Sequence, residues 1–264
     1  MLEETEHELQ HTASLSESPN PGARPFANGA ISVRPLALAY RVVAVALIAT
    51  GLIRITGMFS GSPEWGSLLF YTVLSNLLCL VWMLLLIIRT VRDLRQEGHR
   101  GASTPSARWS GAVMMAITVT MLIYLVVLVP AAFQQPGDYE LFSFTDNLIH
   151  IITPCLLIGD WLLFVRKGAF RWIDPLLWAL IPYAYLVFGF AAGAAGVEFY
   201  PGQTYPYPFM NVGALGIGGT ALWIAGLTVA LVGVGYLYVA VDRALALIRT
   251  GSPGEPPFGP RRVP

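Results

Sequence analysis

Two apolar stretches of this chain carry the side chains with which a reaction could be run. One reads Tyr71-Thr72-Val73-Leu74-Ser75-Asn76 and the other Asp146-Asn147-Leu148-Ile149-His150. Thr72, Ser75, Asn76 and Cys79 stand three, four and seven residues apart, so a helix presents them on one face. His150 is the one histidine that falls inside an apolar run, and Asp146 and Asn147 precede it by four and three residues, again on one face. A hydroxyl such as that of Thr72 is a weak nucleophile until a neighbouring base takes its proton, a task suited to neutral histidine. A third group commonly orients that base; Asn147 and Asp146 are both spaced for it, and Asn147 is expected to take the role. Ser75 or Asn76 could donate to a developing oxyanion. The competing reading is structural. Threonine in a helix often bonds its own i−4 carbonyl, and asparagine or histidine often ties helices together.

The elements that must hold these residues are membrane spans. Of the 264 residues 55% are hydrophobic and 12% charged, and the mean hydropathy is +0.60. A soluble domain devotes roughly a quarter of its residues to charge. The formal net charge is zero, which offers no basic footprint for nucleic acid. Cys79 and Cys155 both lie in apolar runs, read as small packing residues, with neither a disulfide framework nor zinc spacing. His99 sits in an arginine-rich loop, HExxH is absent, and His150 with Asp146 and Glu198 is too thin a set for a metal. No metal or organic cofactor is expected.

A span takes about 20 apolar residues, and six stretches qualify: roughly 36–55, 66–88, 112–133, 146–165, 172–193 and 214–241. The expected fold is an all-α integral membrane bundle of six transmembrane helices, because barrel alternation is missing and a spanning backbone must satisfy itself. The second span, if it enters near Trp65, puts Thr72 about 9 Å inward. Arginine and lysine between spans set orientation. Arg89, Arg92, Arg95, Arg100 and Arg108 follow the second span, Arg166, Lys167 and Arg171 the fourth, and Arg243 and Arg249 the sixth, with Arg34 before the first. The other side carries Arg54 among Glu64, Asp138, Glu140 and Glu198. Both termini are therefore expected in the cytoplasm, in a multi-pass protein of the cell membrane. Asp160, near the cytoplasmic end of the fourth span, is expected to pair with Arg166, Lys167 or another arginine of the inner leaflet. Gly213, Gly216, Gly218, Gly219, Gly226, Gly233 and Gly235 mark the last span as a packing helix.

The domain reading is a disordered polar tail over 1–33, a six-span membrane domain over 34–243 and a Pro/Gly-rich tail over 244–264. The tails lack the composition to bury a core, and the first lacks the plan of a signal peptide. Between the last two spans runs Glu198-Phe199-Tyr200-Pro201-Gly202-Gln203-Thr204-Tyr205-Pro206-Tyr207-Pro208-Phe209. Its prolines forbid a simple helix. It reads either as a lid formed by Tyr205, Tyr207, Pro208 and Phe209 or as part of an aromatic belt.

These stretches, together with His150-Ile151-Ile152-Thr153-Pro154 running to Asp160-Trp161-Leu162-Leu163-Phe164, resemble the bacterial Pr-six-Pr family of six-span membrane proteins. That family looks distantly similar to the eukaryotic androgen-induced-gene proteins, intramembrane threonine–histidine hydrolases of fatty-acid esters of hydroxy fatty acids. The similarity covers roughly residues 36–243. It implies that Thr72 matches the nucleophile, His150 its histidine, and Tyr207-Pro208-Phe209 the Tyr-Pro-Phe ahead of the last span. This chain departs in placing Pro154 four residues after His150 and Ser75 at a position that looks acidic in the eukaryotic branch. The reading is a lipid ester hydrolase whose partners are membrane lipids and a lipid-ester substrate. Its alternatives are a non-catalytic binder or carrier of a lipophilic ligand and a structural or accessory membrane protein.

Overall fold

Six helices long and apolar enough to cross a membrane make up the chain, in a computed structural model that describes residues 26–27, 30–130 and 142–250. They are α1 (Arg34–Thr56), α2 (Tyr71–Glu97), α3 (Ala107–Leu128), α4 (Phe144–Phe164), α5 (Asp174–Ala194) and α6 (Val212–Thr250). Before α1, Phe26–Ala27 and Ala30–Ile31 pair as a minimal antiparallel ladder, β1 and β2, where a loose tail is expected. Residues 244–250, also expected in a tail, instead continue α6. The rest of both tails lies outside the described residues, as do Asp138 and Glu140.

Local sequence explains the deviations from regular helix. The second apolar run does not form one helix from Trp65. Trp65–Leu69 makes a 3₁₀ turn, Phe70 is extended, and α2 begins only at Tyr71. Thr72 therefore lies in the first turn of α2 rather than about 9 Å along it. In α4 the segment Leu148–Ile152 is a π turn, flanked by α-helix at Phe144–Asn147 and Thr153–Phe164. Pro154 supplies the cause: it has no N–H to give, and its ring crowds the carbonyl four residues back, which is that of His150. The widened turn absorbs the conflict, with the Thr153 amide and Thr153 Oγ1 both donating to the Leu148 carbonyl, the latter at 2.9 Å. A second π turn, Tyr124–Leu128, closes α3. π turns inside helices recur at functional sites.

The principal core joins α1, α2, α3 and α4 around Ile48, Met83, Ile117, Leu157 and Trp161. Gly51 is needed in α1 because Ile149 and Leu148 of the π turn lie where a side chain would stand, at 2.9 and 3.2 Å. Arg54 holds the start of α4, its Nε donating to Thr145 Oγ1 at 2.9 Å and its guanidinium lying over Phe144.

At the opposite end of the bundle buried charges are paired. Asp160 meets Arg41 of α1, Nε to Oδ1 at 2.8 Å, another arginine at the same end of the bundle and not the Arg166 or Lys167 that follow it in sequence. Arg41 also donates to Thr90 and Thr104. Arg108 pairs with Asp174, and Lys167 donates to the carbonyls of Trp161 and Val165. The expectation of a tightly packed, glycine-rich last helix fails. Gly218, Gly226 and Gly233 face open space, Gly216 kinks the helix at φ 67°, and among the α6 glycines Gly235 makes the tight helix contact, against Pro175. Cys79 is buried, but Cys155 is exposed and packs no core.

Candidate active site

The first turn of α2 and the π turn of α4 bring the two apolar stretches together. Thr72 Oγ1 lies 3.4 Å from His150 Nε2. The other ring nitrogen, Nδ1, faces Asp146 Oδ1 at 3.8 Å. Hydroxyl, imidazole and carboxylate thus follow one another in the order of a nucleophile, base and orienting acid, with the carboxylate oxygen beyond hydrogen-bond distance of Nδ1. His150 and Asp146 are both buried.

One contact fixes the ring and another the backbone beside it. Tyr124, fully buried on the π turn of α3, stacks on His150 with ring centroids 4.1 Å apart and planes 10° from parallel. Asn76 provides the second. A π turn would send the Ile149 carbonyl to the amide of residue 154, which is proline and has none. Asn76 Nδ2 takes that place, donating to Ile149 O at 3.0 Å and to Thr72 O at 2.8 Å. One side chain therefore links the backbone beside the hydroxyl to the backbone beside the imidazole.

These bonds bear on the roles expected of the remaining polar residues. Both Asn76 amide protons are engaged with backbone carbonyls. Ser75 Oγ is 2.7 Å from Thr120 Oγ1 and 3.1 Å from Thr72 O, so it ties α2 to α3. Neither Ser75 nor Asn76 is turned towards an oxyanion at Thr72. Asn147 donates to Phe142 O at 2.7 Å, away from the ring, which leaves Asp146 beside Nδ1.

The loop before α6 closes over Thr72. Tyr207 and Phe209 are buried with parallel rings 5.6 Å apart, and Phe70 packs edge-on to Tyr207. Tyr205 is partly buried against the same cluster, while Pro208 stays exposed. Tyr207 also interacts with the Thr72 hydroxyl and with the amides of Thr72 and Tyr71. Those amides open α2, where a helix has no backbone acceptor to offer, and Phe70 supplies no side-chain cap. Burial pushes the Tyr207 phenol up to about 12, against these hydrogen bonds, which pull it down. It therefore keeps its proton at neutral pH. Tyr185 steadies the turn ahead of α2 by donating to Leu69 O at 2.9 Å.

Thr72, Tyr71, Tyr207 and Phe209 form one end of a cavity of about 220 Å³ between α3, α5 and α6. Among the described residues no group of histidine, cysteine and acidic side chains is arranged to hold a metal. No family model, curated protein or solved structure matches this chain.

Sequence reasoning had missed two residues of this architecture. Arg41 was legible, since a charge inside an apolar span demands a partner. Tyr124 was not, because a tyrosine within an apolar helix looks the same whether it faces outward or stacks on an imidazole.

Proposed function

We propose that this protein is an intramembrane hydrolase of lipid esters, with Thr72 as nucleophile and His150 as base. The observation that supports the reading is the 3.4 Å separation of Thr72 Oγ1 and His150 Nε2, with the second ring nitrogen turned to Asp146. Thr72 Oγ1 attacks the acyl carbon as its proton passes to Nε2. The tetrahedral oxyanion receives a hydrogen bond from the Tyr207 hydroxyl, which the first amides of α2 hold in place. The imidazolium returns the proton to the departing alcohol, leaving acyl-threonine. Water then attacks, His150 accepts its proton, and release of the acid restores the threonine hydroxyl. Asp146 stabilises the imidazolium in both halves.

In this reading the site lies towards the outer leaflet, both termini are cytoplasmic, and the substrate enters sideways from the cell membrane. The membership in the Pr-six-Pr family inferred from the sequence motifs belongs to the same proposal. A second reading, a non-catalytic binder of a lipophilic ligand, draws on the cavity alone.

Labelling of purified protein with a fluorophosphonate, in wild type, Thr72→Ala and His150→Ala, decides between them. Labelling lost in both folded variants supports the hydrolase. Well-folded wild type that stays unlabelled and turns over no lipid ester favours the binder.

A further inference from the structure

The cavity has a direction. One end holds Thr72 and Tyr207, and the remainder is built from aliphatic side chains, with Val119, Ile123 and Val126 on α3 and Leu227, Leu231 and Val234 on α6. The α6 residues share one helix face, and from Ile224 to Val234 that wall is about 15 Å long. The polar groups away from Thr72 satisfy one another. Tyr183 Oη lies 2.6 Å from Thr228 Oγ1, which also donates to Ile224 O, and Thr120 is held by Ser75. Nothing along the groove calls for a polar ligand atom. Val126, Tyr183 and Ala230 line it and are also exposed, so the groove is open along its side to the bilayer.

Resting on the hydrolase reading, we propose that this groove is the acyl subsite: it holds one unbranched hydrocarbon chain whose carbonyl lies at Thr72, and its aliphatic floor at Leu231 and Val234 sets the chain length accepted. The occupant is an acyl chain because the one polar end of the groove is the nucleophile itself, and because a side opening admits a chain already dissolved in lipid. A chain passing from lipid into an aliphatic groove exchanges one apolar surrounding for another, so the floor, rather than the number of methylenes covered, decides which chain lengths are accepted.

Two measurements test it together. The first is photolabelling of the full-length protein in nanodiscs with a diazirine analogue of palmitic acid, competed by unlabelled palmitate and mapped by mass spectrometry. Labels on the groove-lining Val119, Ile123, Leu227 and Leu231 that palmitate displaces are expected. Non-saturable labels spread over lipid-facing positions such as Leu222 and Val229 would overturn the proposal and identify ordinary annular lipid. The second compares p-nitrophenyl butyrate and palmitate turnover in wild type, Ala230→Trp and Val234→Trp, each checked for thermal stability. The ratio of palmitate to butyrate turnover should fall at least tenfold. An unchanged preference in both folded variants rejects the subsite. If Thr72→Ala still turns over ester, or no ester is cleaved while saturable groove labelling persists, the hydrolase reading fails and the chain-binding groove stands.

Discussion

In the proposed reaction the Thr72 hydroxyl takes its reactivity from one neighbour and its position from another. His150 is the neighbour that can take a proton, and its removal should cost about 10²–10⁴-fold in turnover, the usual worth of a general base. Asn76 is the neighbour that sets position. Asn76→Leu strips donors from the Ile149 and Thr72 carbonyls, which should cost about 1–3 kcal/mol of stability. Thermal unfolding in detergent measures that loss, and fluorophosphonate labelling of the residual folded protein should slow as well. Tyr207→Phe removes the phenolic proton while keeping the ring between Phe70 and Phe209. Its expected signature is a kcat lower by about 10²–10³-fold, the worth of one oxyanion donor, with KM little changed.

Among the elements, the π turn of α4 is the device that makes the pair meet. Pro154→Ala restores an amide that the Ile149 or His150 carbonyl can use, so the turn is free to relax to ordinary α-helix and rotate His150 relative to Thr72. The protein should become as stable or more so while ester turnover falls, a combination that separates a positioning role from a folding one. The loop before α6 is governed by α5. At Gly193 the carbonyl of Thr204 crosses so closely that no side chain fits between them. Gly193→Leu should therefore lift the loop, raising exposure of the buried Tyr207 and Phe209 rings, which tyrosine fluorescence quenching would register together with loss of activity.

At the scale of the whole molecule, the two ends of the bundle are built differently. One end carries the Thr72–His150 pair and the aromatic loop, and the other is locked by ion pairs. Arg41 and Asp160 are both 1% exposed and bonded to each other. Arg41→Ala leaves a buried carboxylate alone and should destabilise by about 3–5 kcal/mol, whereas the double change Arg41→Met with Asp160→Leu should be close to neutral. Thermal unfolding of the three proteins compares them directly. Activity of the double variant at permissive temperature should match wild type, since the pair lies at the end away from Thr72. α6, by contrast, gives the bundle little contact along its exposed glycine face, which leaves room for the groove between it and α3.

The chain by itself determined an all-helical molecule with six helices long and apolar enough to cross a membrane, because charge is cleared out of long apolar runs and collected between them. The six spans, and the faces of α2 and α4 carrying Thr72 and His150, follow from the same patterning. Depth, pairing and direction were decided only in three dimensions. Thr72 moved to the start of its helix because Phe70 is extended, a backbone choice that composition does not announce. Asp146 rather than Asn147 came to the imidazole, and Asn76 was drawn from a donor at Thr72 to the carbonyl left open by Pro154, because each of these depends on which backbone groups a π turn leaves unsatisfied. Among the arginines expected for Asp160, Arg41 was selected because helices α1 and α4 pack side by side. Periodicity reports which residues share a face of one helix; which faces of different helices meet is settled by packing, and the candidate site lies where they meet.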